Sequence, residues 1–260
     1  MAATLALVWL LSLLLLTKDL GKSRFKPKFN ELFSKSARIN QLSAARLFLF
    51  GARDIWFVIA LPLYLSTHFH WSQTEVGAFL ALWVIGYGAV QALAPLLTGR
   101  RGQGKGKGKG HQVDNRNQTS SHQHNIDANV PDANTALRWA VLLCSIPLLI
   151  SAAMLYSPYP LWALIGGLLI FGAIFAVNSS LHSYLIVSVA SRDGVSLDVG
   201  FYYMANAMGR LIGTLLSGWL YQAFGLQACL WVSSAFLFAT VLITQLLTKS
   251  MRQPPPPQAN

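Results

Sequence analysis

Long apolar stretches separated by short polar ones run through most of this chain. Seven blocks stand out: Ala2–Thr17, Ala44–Ser66, Val76–Thr98, Leu137–Tyr156, Leu161–Val187, Val199–Phe224 and Leu226–Thr248. Each approaches or meets the roughly 20 mostly apolar residues that a helix needs to cross a bilayer. The pattern predicts an all-α membrane protein with about seven transmembrane helices. It divides the chain into a helix over residues 1–17, a polar linker at 18–43, two helices within 44–98, a polar loop at 99–136, four helices within 137–248 and a tail at 249–260.

The two long polar interruptions differ in kind. In the linker, Phe25, Phe29, Leu32 and Phe33 recur at helical spacing among Lys22, Lys26, Lys28, Lys35 and Arg38. That reads as a basic amphipathic segment lying on the inner leaflet. The loop, "RRGQGKGKGKGHQVDNRNQTSSHQHNIDANVPDAN", has too few apolar residues to bury a core and reads as a disordered, charged linker. His111, His122 and His124 within it read as solvated rather than as metal ligands. Asn117–Thr119 forms a glycosylation sequon, which the predicted cytoplasmic side of the loop sets aside.

Composition agrees with the pattern: 53% of residues are hydrophobic and 11% charged, against about 25% charged in an ordinary soluble domain. The net charge of +11 could suggest nucleic acid, but the positions of the basic residues exclude that reading. Nearly all Lys and Arg fall at Lys18–Ser43, Gly99–Ala136, Ala190–Asp198 and the tail after Thr248, while Thr67–Glu75, Ser157–Pro160 and the turn at Gly225 hold none. By the positive-inside rule the N-terminus lies outside and the C-terminus in the cytoplasm. The first block has no basic residue before it and several after it, the reverse of a signal peptide. Cys144 and Cys229 stand alone in apolar runs, so they read as packing residues, and neither a metal nor a cofactor is expected.

Ionisable residues inside the blocks carry the chemistry, because each costs a few kcal/mol at mid-bilayer and so faces a bundle interior or a wet cavity. The second block holds Arg46, Arg53 and Asp54; the fifth holds Asn178 and His182; the sixth holds Tyr203, Asn206 and Arg210. Arg46 and Arg53 share a helix face about 10 Å apart along the axis. Arg53 and Asp54 are sequence neighbours, which on a helix do not face each other, so they are not expected to neutralise one another readily. Asn178 and His182 stack one turn apart beside Ser179 and Ser183. Tyr203, Asn206, Arg210 and Ser217 make a polar stripe, and Gly209 and Gly213 form a GxxxG that permits close approach of a neighbouring helix. Asp54 and Arg210 could pair between helices, and Asn178 and His182 could make interhelical hydrogen bonds. Three arginines against one aspartate leave a surplus of positive charge, which suits an anionic substrate.

Several strings carry a resemblance: "INQLSAARLFLFGARDIWFVIALPLYL", "VGAFLALWVIGYGAVQALAP", "VNSSLHSYLIV" and "VGFYYMANAMGRLIGTLLSGWLYQ". They resemble the organoarsenical efflux permeases of the major facilitator superfamily, and "APLLTGRR" is similar to a worn form of that superfamily's Gly/Arg-rich loop. The Gly/Lys loop departs from the likeness. The resemblance implies a transporter of two six-helix halves, of which this chain supplies the sixth helix and the C-terminal half, with the N-terminal half missing. It implies a bacterial inner-membrane protein that exports 1-arseno-3-phosphoglycerate by alternating access, confers arsenate resistance, and is functionally linked to glyceraldehyde-3-phosphate dehydrogenase. Such a cargo is strongly anionic, and Arg forks bind its oxyanions bidentately.

On that reading Arg46, Arg53, Arg210, Asn178, His182, Tyr203 and Asn206 bind the substrate, and Asp54 serves as a coupling group or an interhelical ion pair. Two other readings keep the membrane bundle: a transporter for another organic anion or drug, and a membrane fragment that transports nothing. No nucleophile–base–acid set, P-loop or dinucleotide fingerprint marks an enzyme.

Overall fold

The computed structural model describes residues 9–10, 36–97, 133–190 and 195–252. The chain divides into two units, Met1–Leu32 and Phe33–Asn260, and all the elements below belong to the second. Most of the first block, most of the basic linker and the Gly/Lys loop with its histidines and sequon lie outside the described residues.

Among the described residues the secondary structure is entirely helical: α1 (Ala37–Phe57), α2 (Ala60–His68), α3 (Gln73–Leu97), α4 (Ala133–Tyr156), α5 (Pro160–Val189) and α6 (Val195–Arg252). Five stretches are long and apolar enough to cross a membrane: Ala37–His68, Gln73–Ala94, Asn134–Tyr156, Pro160–Val189 and Leu197–Met251. The last has 55 residues and would be about 80 Å long if straight, far beyond a hydrocarbon core of about 30 Å. Gly225, at φ 78° and ψ −174°, breaks it. The Cys229 thiol donates to the Ser217 carbonyl at 3.9 Å, a contact that a straight helix forbids over that separation. The chain therefore turns back at Gly225, and α6 is two antiparallel arms. A left-handed φ of this kind is cheap only for glycine.

The second apolar block forms a broken helix rather than one rod, and it starts at Ala37 rather than Ala44. Pro62 is the cause of the break. It has no N–H for the carbonyl of Val58 and its ring crowds that carbonyl, so α1 ends at Phe57 and α2 restarts at Ala60. The freed N–H of Ala60 donates to Ser217 Oγ of α6 at 3.1 Å. A further local device starts α3. Ser72 N–H and Oγ both donate to the Glu75 carboxylate at 2.8 Å, and Glu75 N–H donates back to Ser72 Oγ at 3.3 Å. This is a capping box, and it gives Glu75 a structural task.

The most extensive packing joins α1 to α6, with α4 against α6 and α5, and α3 against α5. Small residues set the spacing. A Cβ on Gly209 would collide with the backbone of Leu47, and one on Gly213 would lie 2.6 Å from the Gly51 carbonyl. The GxxxG thus seats the first arm of α6 on the backbone of α1. Gly172 plays the same part for α3, because the indole of Trp83 lies 2.8 Å from where its Cβ would be and donates from Nε1 to the Leu168 carbonyl at 3.2 Å. Hydroxyls staple the remaining crossings. Ser233 Oγ donates to Ala52 O and Ser234 Oγ to Cys144 O, each at 2.7 Å, while Ser151 bonds Gln227 and accepts from Trp231 Nε1 at 2.9 Å. In a bilayer such bonds average about 0.6 kcal/mol each.

Two apolar clusters form the core. One runs from Leu49 and Phe50 through Trp56 to Leu65, with Leu164 to Phe175 of α5. The other gathers Ile39, Leu42, Val177, Leu181, Leu185 and Tyr202. Between them α1 and α5 carry a short buried stretch that is polar.

Candidate functional site

Asp54 sits at the middle of the Ala37–His68 span and its side chain is 1% exposed. Arg53 Nε donates to Asp54 Oδ1 at 2.7 Å, and Arg210 Nε donates to Asp54 Oδ2 at 3.0 Å. One carboxylate therefore serves two arginines, one from its own helix and one from α6. Neighbours on a helix point about 100° apart, yet Arg53 and Asp54 pair, which corrects the expectation that they would not readily neutralise each other. The arginine stem is long and carries Nε ahead of the guanidinium tip, so it can curl around the helix to a short aspartate whose direction is fixed. The second carboxylate oxygen is left for Arg210, and the interhelical pairing of Asp54 with Arg210 that the sequence allowed is present.

The two arginines differ in surroundings. The Arg53 side chain is 12% exposed, with its Cζ 5.0 Å from the Phe50 ring centre and 5.3 Å from that of Phe175. The Arg210 side chain is 54% exposed although it stands midway along the first arm of α6. Its Nε is committed to Asp54, while its exposed end faces away from the packed core. Tyr203, two turns before it on α6, is also half-exposed and meets Tyr202 edge-on at 5.4 Å. Asn206 lies between, with its Oδ1 buried and without a hydrogen-bond partner. Ser217, the last member of the stripe, is fully buried and caps Ala60 instead of facing the others.

Arg46 is placed apart from this group. It is 4% exposed and donates from Nη1 to the carbonyl and hydroxyl of Ser179 at 3.0 and 3.2 Å. Its Cζ lies 4.0 Å from the Phe50 ring centre and 5.1 Å from that of Tyr202. Both guanidiniums, of Arg46 and of Arg53, therefore approach the Phe50 ring. Asn178 and His182 flank Ser179 on α5 and are fully buried. The interhelical hydrogen bonds that they could have made are not made. Both side-chain polar atoms of Asn178 and both ring nitrogens of His182 lack a hydrogen-bond partner.

The seven residues proposed from the sequence to bind substrate thus fall into two sets. Arg53 and Arg210 meet at Asp54, Tyr203 is half-exposed on the same arm of α6 as Asn206 and Arg210, and Arg46, Asn178 and His182 are buried. The residues that the sequence reading passed over are the rings beside the charges. Phe50 is four residues after Arg46 and three before Arg53, a spacing that places all three on one helical face and could have been noticed. The approach of Tyr202 from another helix had no such signal. Among the described residues no group of three or more His, Cys, Asp or Glu is placed to hold a metal ion.

No curated protein matches the chain. Residues 135–260 match the Major Facilitator Superfamily, a segment that contains Asn178, His182, Tyr203, Asn206 and Arg210 but not Arg46, Arg53 or Asp54. Members of that superfamily are generally transporters rather than enzymes. Over its C-terminal part, this all-helical chain with stretches apolar enough to cross a membrane is thus similar to the Major Facilitator Superfamily.

Proposed function

We propose that the chain forms part of an exporter of organic anions, and that the anion is held by the exposed end of Arg210 with Arg53, Tyr203 and Asn206 around it. One observation carries this reading: an arginine in the middle of a span is 54% exposed while only its Nε is engaged by Asp54. A guanidinium cannot face hydrocarbon at mid-bilayer without a cost of several kcal/mol. Its exposed side therefore faces an aqueous cavity, closed by a second six-helix half across from α6, as alternating access requires. Asp54 holds Arg210 from behind, so the trio carries one net positive charge toward the cavity. An arriving oxyanion takes the free edge of the guanidinium in a bidentate, charge-assisted contact.

The cargo we favour is the one that the resemblance implies, 1-arseno-3-phosphoglycerate, exported across a bacterial inner membrane from a cytoplasm in which glyceraldehyde-3-phosphate dehydrogenase generates it. The test is arsenate resistance in a sensitive bacterium expressing this chain together with an N-terminal half. Wild-type protein is expected to export organic arsenic and to raise resistance. Arg210→Ala and Arg53→Ala are expected to abolish both while the protein still reaches the membrane. Resistance that survives both substitutions overturns the site. Export of another organic anion without arsenical export overturns the cargo and leaves the site standing.

A further inference from the structure

The buried group around Arg46 has a feature that the exposed site lacks. The titratable neighbours within electrostatic reach of Arg46 are Tyr202, Tyr87, Tyr203 and Arg53, with His182 beside it as well. Among the described residues none of them is a carboxylate. Arg46 is a guanidinium enclosed in a membrane span, and its nearest negative partners are the Ser179 carbonyl, the Ser179 hydroxyl and two aromatic faces. Enclosing a charge without a counter-charge is among the most expensive arrangements a protein can adopt.

The same place concentrates unpaired hydrogen-bonding groups. Arg46 Nε, Ser43 Oγ, Asn178 Nδ2 and Oδ1, and both nitrogens of His182 are buried without partners. Ser43 stands one turn before Arg46 on α1, Asn178 and His182 stack one turn apart on α5, and His182 lies within electrostatic reach of Arg46, so these groups share the seam where Arg46 binds Ser179. Buried polar groups in native proteins are almost always satisfied. Several unsatisfied ones, converging on an uncompensated cation and shut in by apolar clusters on either side, describe a ligand site. Arg46 Nε, Asn178 Nδ2, one imidazole N–H and the Ser43 hydroxyl all donate. Donors in excess around a single positive charge select a small monovalent anion, and the 0% exposure of Asn178, Ser179 and His182 excludes a bulky one.

We propose that Arg46, Ser43, Asn178 and His182 form an occluded binding site for a small monovalent anion of halide size, distinct from the exposed Arg53–Asp54–Arg210 site. The anion neutralises Arg46 and satisfies the converging donors, so it acts as a fixed part of the bundle and not as cargo. The proposal is independent of which anion the chain exports.

The test is thermal unfolding of the purified full chain in detergent, followed by tryptophan fluorescence at constant ionic strength, in potassium chloride, potassium phosphate or potassium gluconate. Chloride at about a hundred times its dissociation constant is expected to raise the unfolding temperature by about 5 °C over gluconate. The rise should vanish in Asn178→Leu and His182→Ala, and in Arg46→Ala if that variant folds, and should persist in Arg210→Ala. No difference between chloride and gluconate overturns the proposal. So does a chloride response that survives Asn178→Leu and His182→Ala, a response that Arg210→Ala abolishes, or stabilisation by phosphate alone.

Discussion

Arg46 and Arg53 lie two turns apart on one face of one helix and share one phenylalanine ring, yet their charges are handled in opposite ways. Arg53 has a carboxylate at 2.7 Å, and that same carboxylate reaches a second arginine on α6. Arg46 has a serine and two rings. The first arrangement is complete within the chain and leaves one arginine edge available. The second is incomplete within the chain. The contrast teaches that a buried cation in a membrane bundle can be neutralised by a partner side chain, which also braces helices, or by something that the bundle must take in.

The largest expected effect comes from removing the shared partner. Asp54→Asn keeps the shape but leaves Arg53 buried without its carboxylate and Arg210 unbraced. Breaking a buried pair by removing one member costs about 3–5 kcal/mol, so the variant should unfold at much lower temperature in detergent or fail to accumulate. If its stability equals that of wild type, the trio is not the brace described here. Next come the glycines that let α6 lie on α1. Gly209→Val forces a side chain into the backbone of Leu47 and should cost about 1–3 kcal/mol or more. Gly86→Ala on α3, where a Cβ would meet nothing within 4 Å, should change stability by less than about 0.5 kcal/mol. Equal effects at the two positions would mean that the α1–α6 contact is looser than the glycine geometry requires.

Arg210→Lys sharpens the functional side of the comparison. The charge stays, but the planar fork and the Nε contact to Asp54 are lost. Anion export is expected to fall about tenfold or more, the loss of about one bidentate contact. Stability should move little, because the side chain is half-exposed. Full export by the lysine variant would show that a point charge suffices there. The smallest effect belongs to Ser217→Ala, which removes the partner of the Ala60 N–H at the helix break. It should cost about 1 kcal/mol and lower the unfolding temperature by about 2–4 °C.

Much of the fold was legible because its signals are local. The apolar blocks from Ala44 onward correspond to helices long and apolar enough to cross a membrane, the turn at Gly225 is where one block gives way to the next, and the Gly209/Gly213 pair marks a close helix contact. Pro62 announced the break in the second block, although the block was read as one rod. Of the candidate site, the sequence singles out the ionisable residues of the spans, since few charges occur there. It did not divide them correctly. Arg53 and Asp54 were separated by a rule about directions on a helix, and the structure joins them because the reach of an arginine exceeds what such a rule assumes. Arg46, Asn178 and His182 were grouped with the exposed arginines, and the structure buries them.

The sequence by itself determined that this is a multi-pass helical membrane protein and which few residues bear charge inside the bilayer. Hydrophobic length and the scarcity of ionisable groups can both be read residue by residue along the chain. Only the tertiary structure decided that Asp54 serves Arg53 and Arg210 together, that Ser217 completes a broken helix, and that Arg46 has no carboxylate beside it among the described residues. Those outcomes depend on how each helix is rotated and how closely glycines let the backbones approach. Periodicity within one helix does not contain that information.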